Sequence, residues 1–185
     1  ELDISEEDIV KPKYVLYTGT ETTEEKEMIR NIFNGNWKYL PKSLAEQISK
    51  TSNNNILGEL IKIFMITASG AEGISLKNVR YVHIVEPYWH PVRIKQVIGR
   101  ARRICSHEDL DEELRTVKVY LYLMTFTKEQ LDGDGSIELK LKDIGKVNPE
   151  KPLTSDEALY EISMLKQEIT DNILRSVKEL SLIHI

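Results

Sequence analysis

Cysteine is nearly absent from this sequence, since Cys105 is the only one in 185 residues. An internal disulfide is therefore excluded, and the composition is typical of a protein from a reducing compartment. No apolar run approaches the ~18 residues of a membrane span, and the acidic residues 1–12 are unlike a signal or transit peptide. We therefore expect an intracellular protein that has no membrane partner.

A phosphate-binding loop of the form G-x-x-x-x-G-K-[ST] is also missing. Without that loop, nothing in the sequence cradles the β-phosphate of a nucleotide or holds magnesium. No metal site is predicted either, because Cys105 and His107 are too few and too close together to supply one. If this chain handles ATP, it supplies only half of the site.

What the chain does contain is an ordinary globular composition, with 41% hydrophobic residues, 30% charged residues and a net charge of −5. The length fits one domain, or one domain plus an extension. An acidic total argues against a protein that grips nucleic acid over its whole surface, but it leaves room for a local basic face.

Strand and helix patterns alternate along the chain. Short apolar runs predict four strands, at 14–17, 61–66, 81–85 and 117–124. The near-continuous runs 61–66 and 81–85 are typical of strands buried on both faces. Helices are predicted from about residue 22 to 33 and from Pro91 to about Ile104. Such alternation predicts an α/β fold whose parallel sheet carries helices on both faces.

The helical stretch that begins at Pro91 carries the most informative residues. Read as a helix, Gln96, Arg100 and Arg103 lie above one another on a single face. The apolar residues of the stretch, which we expect to pack on a sheet, fall mainly on the other side: Ile94, Val97, Ile98, Ala101 and Ile104. Two guanidinium groups in register suit phosphate oxygens and stay charged at physiological pH. Such a face is suited to holding a transferring phosphoryl group.

A loop of small residues at 67–76 follows the strand predicted at 61–66. Gly70 and Gly73 let backbone N–H groups approach a phosphate closely, and Thr67 and Ser69 add hydroxyl donors. Alone, the loop is better explained as an ordinary tight turn between a strand and a helix. Its pairing with the arginine-bearing helix favours phosphate contact instead.

Two further features leave alternatives open. Gly99 lies inside the predicted helix, where it costs ~1 kcal/mol relative to alanine. Close approach of a partner or phosphate explains this glycine as well as tight contact with the neighbouring strand does. Residues 86–91 (EPYWHP) expose aromatic side chains between two prolines. A base-stacking platform is one interpretation, and a hydrophobic plug over the sheet edge is the favoured one.

Several of these segments resemble the motifs of one enzyme family. Residues 66–76 (ITASGAEGISL) resemble motif V of superfamily 2 helicases, in the form used by the Swi2/Snf2-like branch. Residues 96–103 (QVIGRARR) look like their motif VI, Q-x-x-G-R-x-x-R, and residues 89–91 (WHP) are similar to the W-N-P of Snf2-like proteins. Residues 17–34, from YTG to FN, are similar to the D-G…R…F-N segment of the same lobe. Residues 86–91 (EPYWHP) and 102–107 (RRICSH) further resemble segments of helicase-like ATPases of large DNA viruses, including the poxvirus transcription ATPases.

The resemblance covers roughly residues 13–125 and implies the RecA-like second lobe of a helicase, preceded by an acidic lead-in at 1–12. We expect an incomplete lobe from a longer protein, because the first lobe with its Walker motifs is missing, as are the opening strand and helix with motif IV. Residues 34–58 are predicted to be an insertion. Residues 126–185 are predicted to be a loop-rich segment followed by a long amphipathic helix over 155–180.

Site roles follow from the resemblance, residue by residue. Arg100 and Arg103 would act as arginine fingers on the γ-phosphate of ATP, which is bound with Mg²⁺ mainly by the missing first lobe. The other residues implied on the nucleotide side are Gln96, Glu72, Gly73, Ser75 and Gly99. Those implied on the side of the nucleic-acid backbone are Thr67, Ser69, Gly70 and Gly19. Ser75 departs from the family, which often has an acid or asparagine at this position, where the ribose is contacted.

We therefore expect the second lobe of an ATP-dependent helicase or translocase. Its partners would be the N-terminal lobe of the same protein, a DNA or RNA backbone, and transcription machinery. A virus-encoded protein of this kind would work in the cytoplasm of an infected cell or in the virion. Two alternatives are a non-catalytic RecA-like module that docks nucleic acid or a transcription partner, and a stand-alone nucleotide hydrolase. The presence of both Arg100 and Arg103 argues against a non-catalytic module. The missing phosphate-binding loop argues against a stand-alone hydrolase.

Overall fold

The computed structural model describes residues 13–67, 73–133 and 153–183. The strands in these ranges are β1 (Tyr14–Tyr17), β2 (Ile63–Ile66), β3 (Tyr81–Ile84) and β4 (Lys118–Leu121). The helices are α1 (Thr23–Phe33), α2 (Lys42–Thr51), α3 (Pro91–Ala101), α4 (Lys128–Asp132) and α5 (Ser155–Ile183), with short 3₁₀ helices at Trp37–Tyr39 and Glu112–Leu114. These described residues form two compact units: one holds those up to Val82 and Val97–Lys118, and the other holds His83–Gln96 and those from Val119 onward.

The strands pair in parallel. β1 and β2 are aligned over their whole length, and β3 and β4 are hydrogen-bonded neighbours. Lys118 N–H donates to Arg80 O at 2.8 Å, and Tyr122 N–H donates to Ile84 O at 2.9 Å. Residue numbers therefore rise together along β3 and β4, as they do in a parallel pair. Parallel strands linked through helices confirm the predicted α/β class.

The core of the first unit combines strand residues with residues of the predicted phosphate loop. Its buried side chains are Tyr17, Ile74 and Leu76. The Phe64 ring of β2 packs against Tyr17 and Phe33, with centroid distances of 5.3 Å and 5.0 Å. Burying side chains of this size contributes roughly 1.5–3 kcal/mol each. Because Ile74 and Leu76 belong to the core, packing fixes the end of that loop.

Both predictions about strand burial are wrong. In the run at 81–85, Tyr81 is 50% exposed and Val85 is 72% exposed, so that run is not covered on both faces. The apolar run at 61–66 predicts a strand covered on both faces, but Ile63 is 50% exposed and Met65 is 44% exposed. The alternate residues, Phe64 and Ile66, pack on the core cluster. Because successive side chains of a strand point to opposite faces, β2 has one packed face and one open face within the described residues.

The arginine-bearing helix is shorter than predicted. α3 ends at Ala101 rather than near Ile104, and Ile104 is 95% exposed instead of packed on a sheet. The chain turns beyond Ala101: Ser106 N–H donates to Arg103 O at 3.1 Å, and Cys105 takes a left-handed conformation, with φ +60°. Arg103 therefore lies beyond the helix, and the helical repeat does not place it above Arg100.

The side-chain amide of Asn55 ties the segment between α1 and β2 to its neighbours in the first unit. α2 has no buried residue, whereas Asn55 is 6% exposed. Its Oδ1 accepts hydrogen bonds from the N–H groups of Leu60 and Ile61, both at 2.9 Å. Its Nδ2 donates to Phe33 O at 2.9 Å and to Ile61 O at 3.2 Å. Asn55 thus joins the predicted insertion to the end of α1 and to the start of β2.

The start of α5 is fixed within the second unit by side-chain caps. Thr154 Oγ1 donates to Met124 O, and Met124 N–H donates to Asp156 Oδ2 at 2.9 Å. Thr154 and Glu157 form a capping box, with hydrogen bonds of 2.9 Å and 3.2 Å. The predicted long helix is confirmed over Ser155–Ile183. Among the helices that the structure describes, none is both long and apolar enough to cross a membrane.

The Asn55 contacts give a stability prediction. Asn55→Ala should lower the free energy of unfolding by at least about 2 kcal/mol, because buried backbone groups lose their partners. Urea denaturation of the 185-residue chain measures this value. Asn53→Ala is the matched control, since Asn53 is exposed and should change stability by no more than about 0.5 kcal/mol. Equal effects of the two variants would contradict the role of Asn55.

Candidate functional site

Two predicted site segments lie side by side in the first unit. Leu76 N–H donates to Arg100 O at 3.4 Å, and Asn78 N–H donates to Ser106 O at 2.8 Å. The Arg100 side chain adds a long hydrogen bond of 3.5 Å, from Nη1 to Ile74 O. The end of the phosphate-type loop and the arginine-bearing stretch are therefore joined through main-chain atoms.

Ser106 and His107 hold the turn that follows α3. Ser106 is 4% exposed, and its Oγ lies 2.8 Å from Arg103 O and 3.3 Å from Ala101 O. The same oxygen accepts from Arg103 N–H at 3.2 Å and lies 2.7 Å from His107 Nδ1. His107 Nε2 lies 2.7 Å from Val79 O. Because a carbonyl only accepts, we assign the ring proton to Nε2. This network fixes the Arg103 backbone although no helix contains it.

The two arginines have different surroundings. Arg100 is half-buried beside Ile74 O, whereas Arg103 is exposed. Within the residues that the structure describes, neither guanidinium forms an ion pair with a carboxylate. The ion pairs found there join other residues: Arg30 with Glu27 and Lys77 with Asp109. Two guanidinium groups without a carboxylate partner, close together in sequence, are suited to an anion such as phosphate.

Gln96 and Gly99 both lie exposed on α3. A Cβ atom at Gly99 would meet no atom within 4 Å. Tight contact with a neighbouring strand, one of the two explanations for this glycine, is therefore wrong for the part of the chain that is described. The open space next to Gly99 leaves room for a group from elsewhere.

Gly73 and Ser75 line a cavity of about 320 Å³ in the first unit. Gly73 has φ +74°, a left-handed conformation that glycine adopts without steric cost. Asn34, which ends α1, donates from Nδ2 to Ser75 O at 2.9 Å and accepts at Oδ1 from Lys77 N–H at 2.8 Å. The sequence indicates Asn34 only as a helix stop, and the F-N of the family resemblance is the signal that marks it.

Thr67 and Gly19 lie just after the paired strands β2 and β1. Thr67 N–H donates to Tyr17 O at 3.2 Å, and Gly19 is exposed. Beside Gly19, the N–H and Oγ1 of Thr18 donate to the Glu21 carboxylate at 2.7 Å and 2.8 Å. Desolvation alone would raise the pKa of Glu21, but these hydrogen bonds outweigh it and lower the pKa. An ionised carboxylate here disfavours phosphate, so the contact assigned to Gly19 stays a prediction.

Three predicted site residues, Ser69, Gly70 and Glu72, lie outside the residues that the structure describes, and their roles stay predictions. The residues that the described hydrogen bonds bring together are those at 74–79 and 100–107. Both segments belong to the first unit.

The EPYWHP segment lies in the second unit, where Trp89 contacts α5. Lys166 Nζ lies 3.7 Å from the centroid of the Trp89 ring, and Ser163 on the same helix is 4% exposed. A cation over one face of the indole leaves only the other face for a stacked base. Eight large apolar residues of α5 are between 43% and 60% exposed: Ile162, Met164, Leu165, Ile169, Ile173, Leu174, Val177 and Leu180.

Comparison with known proteins gives a consistent set of relatives. A family model for the helicase conserved C-terminal domain matches residues 11–105, just over half of the chain. The chain is 31% identical over 166 residues to the "Putative ATP-dependent RNA helicase R350" of Acanthamoeba polyphaga mimivirus, covering 90% of this chain and 16% of that protein. It is 36% identical over 133 residues to the "Termination factor NPH-I homolog" of African swine fever virus, covering 71% of this chain and 16% of that protein.

A third relative is not from an animal or amoebal virus. The "Uncharacterized killer plasmid pGKL-2 helicase" of Kluyveromyces lactis is 40% identical over 95 residues, which are 50% of this chain and 16% of that protein. The chain therefore spans about a sixth of the length of each of these curated relatives.

The two glycines of the site should respond to alanine with opposite signs. Gly99→Ala should raise the free energy of unfolding by about 1 kcal/mol, because the helix gains propensity and the space is open. Gly73→Ala should lower it by about 1 kcal/mol, because φ is +74°. Thermal and urea unfolding of the 185-residue chain measure both values. Destabilisation by Gly99→Ala would mean that the chain itself fills that space.

Proposed function

The chain belongs to the family of the helicase conserved C-terminal domain, and from that premise we propose that it is the second lobe of an ATP-dependent helicase or translocase. In this proposal Arg100 and Arg103 act on the γ-phosphate of ATP. The relatives carry the names of ATP-dependent helicases and of a termination factor, and those names support the class of reaction.

One observation carries the proposal: the stretch that bears Arg100 and Arg103 is hydrogen-bonded to the loop segment 74–79, and neither guanidinium has a carboxylate partner among the described residues. Arginine stays charged at physiological pH, so an anion from outside the chain is the natural partner of such a pair. Hydrogen bonds hold the arginine-bearing stretch against the loop at 74–79, so both segments can face the same ligand. A triphosphate that another lobe holds is an anion of the required kind.

The proposed chemistry is phosphoryl transfer to water. Arg100 and Arg103 donate N–H groups to γ-phosphate oxygens and stabilise the charge that develops as the bond to the β-phosphate breaks. In related phosphoryl-transfer enzymes this effect reaches ~10³–10⁵-fold. The bond from Arg100 to Ile74 O is long, at 3.5 Å, and is easily exchanged for a phosphate oxygen. Gln96, Glu72, Gly73, Ser75 and Gly99 complete the nucleotide side of the proposed site.

The first lobe supplies the rest of this site in our proposal. No group of three metal-ligating side chains occurs in residues 13–67, 73–133 or 153–183, so we assign Mg²⁺ to that other lobe. When bound, Mg²⁺ neutralises charge on the phosphates. This chain then contributes only its guanidinium and loop groups, and we expect it to be inactive on its own.

Nucleic acid is the proposed second ligand. Thr67, Ser69, Gly70 and Gly19 are assigned to a DNA or RNA backbone, and contacts of this kind carry little sequence information. The N-terminal lobe of the same protein and transcription machinery complete the proposed partners. A virus-encoded protein of this kind would act in the cytoplasm of an infected cell or in the virion.

Arg103→Ala in the complete protein should lower the rate of ATP hydrolysis by ~10³-fold or more, while ATP binding is largely retained. The physical reason is that Arg103 stabilises the transition state and contributes little to the ground state. Steady-state turnover and equilibrium nucleotide binding measure the two effects. Arg102→Ala is the matched control, because Arg102 is the exposed neighbouring guanidinium. Unchanged turnover in Arg103→Ala, or an equal loss in Arg102→Ala, would refute the finger assignment.

A further inference from the structure

The cavity of about 320 Å³ has a lining that the arginine pair does not explain. α1 contributes Glu27, Arg30 and Asn31, and the chain that follows α1 contributes Asn36 and Tyr39. Polar groups therefore line a pocket that also contains Gly73 and Ser75 of the loop. None of these α1 or turn residues has a role in the site described above.

Asn31 is the informative member of this lining. It is 5% exposed, and its backbone oxygen accepts from Asn36 N–H at 2.8 Å. Its side-chain amide makes no hydrogen bond within the described residues. Most of the residue is covered, while its amide has no protein partner there and belongs to the cavity wall. An amide in that position is available to pair with a ligand that enters the cavity.

The charges of the lining point away from phosphate as that ligand. Arg30 Nη2 lies 3.4 Å from the Glu27 carboxylate, so the one guanidinium of the lining already has a counter-charge. The amide of Asn34, also in the lining, is bonded to Ser75 O and Lys77 N–H. The remaining neutral groups are two amides, a phenol and a serine hydroxyl. Such a set suits an uncharged ligand with hydrogen-bonding edges better than an anion.

The amide and the phenol together match a nucleobase. One asparagine amide offers an adjacent donor and acceptor, which is the pattern that pairs with the edge of a base. Tyr39 is 64% exposed, and Lys38 Nζ lies 4.8 Å from the centroid of its ring. Because Lys38 lies over one face of this ring, a base of any identity stacks on the other face, and the lysine favours the phosphate attached to that base.

We propose that this cavity binds a nucleobase, with Asn31 at the base edge and Tyr39 against the base face. The inference rests on the proposed function, because the base belongs to a nucleotide or to a nucleic-acid strand. The cavity would bind the base, which is the neutral part of the ligand. Its lining does not include Arg100 or Arg103, which would bind the charged phosphate.

In the test, the 185-residue chain is titrated with three probes. Binding is monitored through the NMR signals of the asparagine side-chain amides. The probes are AMP, a single-stranded oligothymidylate of about ten nucleotides, and ribose 5-phosphate, which lacks a base. We expect AMP or the oligothymidylate to shift the Asn31 signals, whereas ribose 5-phosphate leaves them in place. A response to AMP assigns the base of the nucleotide, and a response to the oligothymidylate assigns a base of the strand.

Three variants complete the test. Asn31→Leu should weaken binding of the responding probe about tenfold or more. Tyr39→Ala should weaken it at least about fivefold, and it keeps the test decisive if Asn31→Leu does not fold, because Tyr39 is exposed. Asn53→Leu is the control, an exposed asparagine outside the cavity, and should bind as the unchanged chain does.

Three results would overturn the inference: neither base-bearing probe binds, ribose 5-phosphate binds as well as AMP, or the two cavity variants bind as the unchanged chain does. None of these results touches the arginine fingers. Those are tested by turnover of the complete protein, so failure of the cavity and failure of the proposed function are distinguishable.

Discussion

The hydrogen bonds between the segments 74–79 and 100–107 are the constraint on which the candidate site depends. Ile74 and Leu76 are buried in the core of the first unit, so one side of this contact cannot move without breaking packing. Leu76 N–H and Arg100 O then transmit that rigidity to the arginine-bearing stretch. Ser106 and His107 extend it past the helix end by capping carbonyl groups on both segments. The position of the arginine-bearing stretch is therefore set by hydrogen bonds to its backbone atoms. The guanidinium groups of Arg100 and Arg103 stay available for a ligand.

Charge divides the first unit into two chemically different surfaces. Arg100 and Arg103 have no carboxylate partner among the described residues, whereas Arg30 has Glu27. The guanidinium groups of Arg100 and Arg103 suit a phosphate. Because Glu27 provides the counter-charge of Arg30, the cavity that Arg30 lines suits a base. Gly73 and Ser75 line that cavity and directly adjoin the segment that is bonded to Arg100. A nucleotide has both a charged and a neutral part, and the unit offers a surface for each.

The parts of the fold that follow from local pattern were predictable from the sequence. Apolar periodicity located the strands and the long helix predicted over 155–180. The end of α3 was not predictable, because the apolar pattern continues to Ile104 although the chain turns after Ala101. The exposure of Ile63 was also missed, since an apolar run does not tell whether both faces of a strand are covered.

The candidate site was predictable only in part. The resemblance supplied Arg100 and Arg103, because a motif preserves residue spacing. The roles of Asn34 and Asn55 were missed because their amides bond residues far along the chain, such as Ser75 and Phe33. Asn31 was missed because nothing local distinguishes a buried, unpaired asparagine from a helix-surface one. Such contacts are products of tertiary packing, and no periodicity encodes them.

The most direct measurement is a structure of the complete protein with ADP and a planar metal fluoride, which mimics the transferring phosphoryl group. The account predicts that guanidinium nitrogens of Arg100 and Arg103 lie within about 3.2 Å of the fluoride atoms, with the bond from Leu76 to Arg100 retained. A structure in which both guanidinium groups turn away from the fluoride, while another cation takes their place, would contradict it.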